Sequence, residues 1–261
     1  MLKRLLFVCA LVLVATLVVN CGGGGGKTDL PPAGGGKAAA GPAFDMSKAT
    51  ATLAGKIVFE GTPPTNPKIQ MTADPYCASH APNATAEEVL VKDGGLQNVM
   101  IYVKSGYESF GPFRAPAEPI VLDQKDCHYI PHVFTMTAGQ SLKVKNSDST
   151  LHNVHGWAEK NAVFNVAQPV PNMEHNFKLD KEEIPLPIRC DVHKWMNSFV
   201  GVFSHPFHTV SKEDGTFEIK VPAGKYEIVA LHDKLGTQTT TIEVADNEKK
   251  ELSFTYKASG N

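Results

Sequence analysis

The stretch Ile184–Phe203, IPLPIRCDVHKWMNSFVGVF, decides how this chain reads. It places a thiol, an imidazole and a thioether within seven residues: Cys190, His193 and Met196. Ile184 to Arg189 has the character of a strand that delivers the cysteine, and Ser198 to Phe203 that of a strand that carries the chain away. A short polar loop lies between them. Soft sulfur holds Cu(I) and imidazole tolerates Cu(II), so this donor set suits a copper ion that changes oxidation state. Such a centre needs one further imidazole. The candidate is His152, upstream in VKNSDSTLHNVHGW, residues 144–157.

The wider stretch YIPHVFTMTAGQSLKVKNSDSTLHNV, residues 129–154, has an aromatic and a proline, a strand, an Ala-Gly turn and a second strand, then Asn-Ser-Asp and His-Asn-Val. With the Cys…His…Met loop it resembles the cupredoxins, the plastocyanin and azurin family. The resemblance implies an all-β chain holding a Greek-key β-sandwich and one mononuclear type 1 copper ion, bound by His152, Cys190, His193 and Met196. It also implies single-electron transfer with a redox protein such as a cytochrome or an oxidoreductase. Asn153 resembles the family residue whose backbone contacts fix the cysteine loop. One spacing departs from the family. Plastocyanin-like loops read Cys-x2-His-x4-Met and azurin-like loops Cys-x4-His-x3-Met, whereas this one reads Cys-x2-His-x2-Met. The His-x2-Met end is similar to that of binuclear copper loops, but those carry a second cysteine, and this loop has one.

Taken singly, each residue has a plainer reading. Cys190 alone is a small buried hydrophobe and Met196 core filler. His193 alone is a surface or satisfied core histidine, and His152 a loop donor. All four in order carry the metal reading. His155 is either a donor supporting the site or an alternative first ligand. His132 is a lesser candidate, with a partner for buried polar groups as its plainer role. His80, His128, His175, His205, His208 and His232 have no spacing argument and are expected to be structural or exposed.

The chain has 261 residues, 42% of them hydrophobic, enough for one large or two small cores. Its formal net charge is −2; residues 1–21 hold Lys3 and Arg4 and no acid, so without them 23 basic residues face 27 acidic ones, a net −4. That is no nucleic-acid footprint. Residues 1–21 read as a targeting segment, with a charged start and an apolar run from Leu5 to Val19 that is short for a membrane span. The ending LVVNCGGGGG resembles a bacterial lipoprotein signal cut before Cys21, despite Asn20 where the family prefers a small residue. Ordinary secretory cleavage and an uncleaved anchor are the alternatives. Lipidation at Cys21 implies stable membrane attachment, since two acyl chains hold where one does not. Gly22 after the cysteine resembles an outer-membrane sorting signal, which implies a protein facing the periplasm.

Of the five cysteines, Cys9 leaves with the signal, Cys21 takes lipid and Cys190 is the proposed ligand. Cys77 and Cys127 remain, in an exported and therefore oxidising setting, and are expected to form a disulfide; two separate buried thiols are the alternative. Residues 22–48 are Gly, Ala, Pro and Lys with few bulky apolar side chains, a flexible tether with a reach of roughly 30 Å.

The remainder reads as short strands. ATLAGKIVFEGTPPTNPKIQM, residues 51–71, suggests a strand, a turn and a second strand, and Val99 to Val103 is apolar enough for a central strand. Past the metal loop, Phe217, Ile219 and Val221 alternate with Glu218 and Lys220, and Tyr226, Ile228 and Ala230 repeat the pattern. Asp214-Gly215 and Pro222-Ala223-Gly224 are expected to close hairpins. This run and the opening GKIVFEGTP resemble the carboxypeptidase regulatory-like, transthyretin-like β-sandwich, split in sequence by the copper module. The expected division is signal 1–21, tether 22–48, first sandwich part 51–114, copper domain 115–205 and second sandwich part 206–257, with the Cys77–Cys127 bond tying the pieces together. No helix is expected beyond a turn or two in Ala84 to Val91.

Three functions fit this reading: a membrane-anchored electron carrier, a periplasmic copper storage or delivery protein in which His128, His132 and His155 add sites, and a non-redox surface interaction protein. An enzyme is disfavoured, since no catalytic triad or carboxylate pair is placed by the sequence.

Overall fold

A computed structural model describes residues 42–258. The signal expected at 1–21, the lipidation expected at Cys21 and most of the expected tether lie outside the described residues. The strands run in chain order as β1 (Ala51–Glu60), β2 (Val91–Lys92), β3 (Gly95–Leu96), β4 (Met100–Ser105), β5 (Ile120–Lys125), β6 (His128–Ile130), β7 (Val133–Thr137), β8 (Ser141–Asn146) and β9 (His152–Gly156). They continue as β10 (Phe164–Gln168), β11 (Glu174–Lys178), β12 (Glu183–Arg189), β13 (Asn197–Phe203), β14 (His208–Val210), β15 (Thr216–Val221), β16 (Gly224–His232), β17 (Gly236–Val244) and β18 (Lys249–Lys257). Among the described residues a short α-helix, α1, spans Pro75–His80, and a single 3-10 turn spans Met46–Lys48.

The strands form two sandwiches, each around its own core. In the first, β1 lies antiparallel to β15 and parallel to β18, so the opening strand joins the closing strands in one sheet. The facing sheet is ordered β14-β4-β16-β17, with β4 in its interior, as its near-continuous apolar sequence requires. Leu53, Ile57, Phe217, Ile219, Ile101, Val103, Ile228 and Phe254 fill the space between. Gly55 is a glycine because β18 runs hard against it: a Cβ there would lie 1.7 Å from the Leu252 carbonyl oxygen.

The second sandwich is built from the middle of the chain. One sheet is ordered β10-β9-β12-β13-β7 and the other β11-β8-β5-β6. Leu122, Phe134, Met136, Leu142, Val154, Ile188, Val200 and Val202 form its core. In β12, Pro185 and Pro187 sit in the strand that carries the metal loop; the pairing with β13 shifts register between Glu183 and Leu186, where a ladder without proline donors is interrupted.

Several local expectations give way to longer-range packing. Residues 42–48, expected in the tether, are ordered: Phe44 donates its N–H to the Pro112 carbonyl at 2.8 Å and packs against Phe110, Phe113 and Phe207. The expected second strand near Lys68 is a single bridge to Thr85, because Pro63, Pro64 and Pro67 remove donors from that stretch. The helix lies at Pro75–His80 and not at Ala84 to Val91; Asp74 caps it and Pro75 opens it. The turns at Asp214-Gly215 and Pro222-Ala223-Gly224 do not close hairpins. They carry the chain from one sheet to the other, since β15 pairs with β1 while β14 and β16 pair with β4. Met71 and Cys77 bury in the second core, so the stretch around α1, expected in the first sandwich, packs against the second one.

Candidate metal centre

The loop from Cys190 to Met196 is closed at its base by the pairing of Arg189 with Asn197 across β12 and β13. Inside it the backbone folds tightly, with Met196 N–H donating to the His193 carbonyl at 2.9 Å and Cys190 N–H to the Met196 carbonyl at 3.1 Å. His193 N–H reaches the Cys190 Sγ at 3.3 Å. The neighbouring strand, β9, begins with His152 and pairs with β12 through Ile188 and Arg189. Asn153 ties the two: its Oδ1 accepts the Asp191 N–H at 3.1 Å, and its backbone carbonyl accepts the Tyr129 hydroxyl at 2.5 Å.

These contacts bring His152, Cys190 and His193 together. Donor atoms of the three lie within 4.8 Å of one another, and the residues are 0%, 2% and 3% exposed. The Nδ1 atoms of His152 and His193 face each other at 2.9 Å. Each outer nitrogen is engaged by a carboxylate: His152 Nε2 donates to Asp148 at 2.7 Å and His193 Nε2 to Asp74 at 3.0 Å. An ionised carboxylate only accepts, so each Nε2 carries its hydrogen and each neutral ring turns a bare Nδ1 lone pair inward. Two such lone pairs repel at this distance unless a cation, a proton or a metal ion, lies between them.

The titration behaviour agrees with that geometry. Burial pushes the Cys190 thiol up, but hydrogen bonds from the His152 and His193 side chains and from the His193 and Asn153 backbones outweigh it and bring the thiol down to about 6. Burial pushes His152 down, and Asp148 and the Cys190 sulfur outweigh it, holding the ring protonated above its usual value. The donor set of one low-pKa thiol and two imidazoles fits copper, with thiolate for Cu(I) and imidazole for either state.

Met196, the fourth ligand expected from the sequence, is 1% exposed and buried in the second core beside the loop. His155 and His132 are not part of the cluster. His155 turns outward, 3.0 Å from Asp191, with its ring 4.9 Å from that of Trp157. His132 donates from Nδ1 to the Asn197 carbonyl at 3.1 Å, with Glu87 3.5 Å away. The Cys77–Cys127 disulfide is formed. Both its cysteines are fully buried in the second core, so it ties α1 to the second sandwich and does not bridge the two cores. Cys77 Sγ lies 3.8 Å from His193 Nε2.

The sequence reading missed three polar residues. Asp148 is 1% exposed and accepts from the Asp126 and Cys127 N–H groups as well as from His152. Asn146 is fully buried and donates to the Thr150, Gln168 and Val170 carbonyls, which fixes the loop that leads to His152. Asp74 comes from a distant stretch. A cleft of about 430 Å³ opens beside the loop, with Tyr129, Trp157, Cys190, Trp195 and Met196 among the residues that line it. The Trp195 ring lies 5.0 Å from that of His193.

No protein-family model matches the chain, and no curated protein does. Among solved structures it is similar to the copper-containing nitrite reductase of Thermus scotoductus, at 13% identity and a TM-score of 0.29, covering 36% of this chain and 24% of that one. It is similar to amicyanin from Paracoccus versutus, at 19% identity and a TM-score of 0.30, covering 39% and 96%. It is similar to the purple cupredoxin of Nitrosopumilus maritimus, at 20% identity and a TM-score of 0.28, covering 33% and 99%. The chain thus spans about a quarter of the length of the nitrite reductase. At these TM-scores the likeness decides nothing, and the chemistry is read from this chain's own side chains.

Proposed function

We propose that this chain is an exported, membrane-tethered copper protein that carries single electrons through one type 1 centre. The observation that supports the reading is the convergence of His152 Nδ1, His193 Nδ1 and Cys190 Sγ in one buried cluster. When bound there, copper supplies a one-electron couple, for which two imidazoles, a thiolate and a weak thioether suit both oxidation states. The chain supplies the rest. His152, His193 and Cys190 would hold the ion, and Met196, at the end of the loop turn, would offer the thioether. Asn153 pins the loop to β9 through Asp191. Tyr129, Met196 and Val154, all nearly or fully buried, keep water from the donors.

Lipid at Cys21 and the glycine-rich run up to the ordered chain would hold the domain at an outer membrane facing the periplasm and let it search for a redox protein, a cytochrome or an oxidoreductase, over roughly 30 Å. The first sandwich then serves as a scaffold or docking surface. The test is to add Cu(II) to protein that begins at residue 22 and to record visible absorption and electron spin resonance. Intense thiolate-to-copper absorption with a narrow hyperfine splitting is expected, and Cys190→Ser removes it. Pale d–d bands alone would sink the reading, and tight colourless Cu(I) binding with slow electron exchange would point to storage or delivery.

A further inference from the structure

We propose that Asp74 is a positioning residue of the metal centre, and that the α1 segment is part of the site although it lies 119 residues from His193. Its one carboxylate does two jobs at once. Oδ1 accepts the Tyr76 and Cys77 N–H groups, at 2.8 and 3.1 Å, and so caps α1. Oδ2 accepts the Thr150 hydroxyl at 2.7 Å and the His193 Nε2–H at 3.0 Å. Thr150 stands two residues before His152, so Oδ2 touches both stretches that carry the imidazoles. Two further ties hold the segment in place: the Cys77–Cys127 bond, and the Tyr76 hydroxyl, which donates to Asp148 at 3.3 Å.

The chemistry demands a carboxylate. Two acceptor oxygens on one short side chain are needed, one for the helix and one for the histidine. Asparagine has a single acceptor and must abandon either the helix N–H groups or the histidine. A serine at the cap serves the helix alone. With its Nε2–H given to Asp74, His193 is held in the tautomer that turns Nδ1 to the cluster, and the acceptor makes that nitrogen a stronger donor to a metal. The same contact leaves the His193 side chain only 4% exposed, so α1 covers the ring edge that solvent would otherwise reach.

This goes beyond the electron-carrier reading and rests on it in one arm of the test only. The first arm uses metal-free wild-type protein with nitrogen-15-labelled histidine at pH 8.5. The expected spectrum shows His193 protonated at Nε2 and bare at Nδ1; a bare Nε2 overturns the proposal without any variant. The second arm is a competition titration with Cu(II). Asp74→Asn is expected to bind about 10- to 100-fold more weakly, the range for losing a partner of a ligating histidine. Thr150→Val removes the other donor on the same oxygen but leaves the His193 contact, and is expected to weaken binding less than Asp74→Asn does. Equal affinity of Asp74→Asn and wild type overturns the proposal. If wild type binds no copper, the function reading fails by itself and the ring-nitrogen spectrum still decides the role of Asp74.

Discussion

His152 and His193 aim their Nδ1 atoms at each other across 2.9 Å, while the outer nitrogen of each ring is already given to a carboxylate, Asp148 or Asp74. Whatever cation binds there must displace protons. The Cys190 thiol, at about 6, is largely ionised at neutral pH, whereas His152 is held protonated above its ordinary value by Asp148 and the Cys190 sulfur against the pull of burial. Copper affinity should therefore fall as pH drops, because more protons must leave. Below pH 6 the thiol proton alone costs about tenfold in affinity per pH unit. Competition titrations with Cu(II) between pH 5 and 8 check this. Affinity that does not change with pH would mean that Cys190 is not a ligand.

The two histidines of β9, its first and fourth residues, give a sharp contrast. His152 is buried in the cluster, while His155 faces outward against Asp191 and Trp157. His152→Ala should abolish the thiolate-to-copper absorption. His155→Ala should leave the colour in place and cost no more than about 1 kcal/mol of stability, the range of an exposed ion pair. Reversed outcomes would mean that β9 presents the other histidine to the loop.

Where residues act on close neighbours, the sequence already says what they do. Phe217, Ile219 and Val221 are buried and Glu218 and Lys220 exposed, as strict alternation requires. The metal loop is similarly local: Cys190 and His193 sit in one turn between two strands. What stayed hidden is non-local. Asp148 stands four residues before His152, but on a loop that spacing carries no geometry. Asp74 before Pro75 marks a helix start, yet nothing in that dipeptide says that its second oxygen meets His193. Asp214-Gly215 is legible as a turn, whereas which strands it joins depends on pairings that involve β1 and β4.

Removing the disulfide tests how firmly α1 is held. Cys77 and Cys127 are 50 residues apart in sequence, and closing a loop of that length lowers the unfolded state's entropy by an amount worth about 4 kcal/mol. The double variant Cys77→Ala, Cys127→Ala should lose stability of that order in urea titrations. It should also raise the hydrogen exchange of the α1 amides, which then rely on the Asp74 cap and on Tyr76. A loss under about 1 kcal/mol would show that packing alone holds the segment.

His205, which is not among the clustered donors, gives the fold an acid weakness of its own. It is 1% exposed, with its ring 4.1 Å from Tyr107 and 5.7 Å from both Phe203 and Phe207. Its Nδ1 accepts the Phe207 N–H at 3.1 Å, so the neutral ring is satisfied where it stands. Burial among these rings pushes its pKa down to about 4, with only partial relief from Glu182 and the other groups near it. In the unfolded chain the ring takes up a proton near 6.5, so between 6.5 and 4 the unfolded state binds more protons than the folded one. Its contribution is complete above pH 6.5 and is lost as pH falls towards 4, about 1.4 kcal/mol per unit and about 3 kcal/mol over the window. His205→Asn keeps an acceptor near the Nδ1 position and does not titrate. It should lower stability at pH 8 through lost packing yet flatten the fall between pH 6.5 and 4 in urea titrations. A variant that loses stability with acid as steeply as wild type would mean that other groups carry the effect.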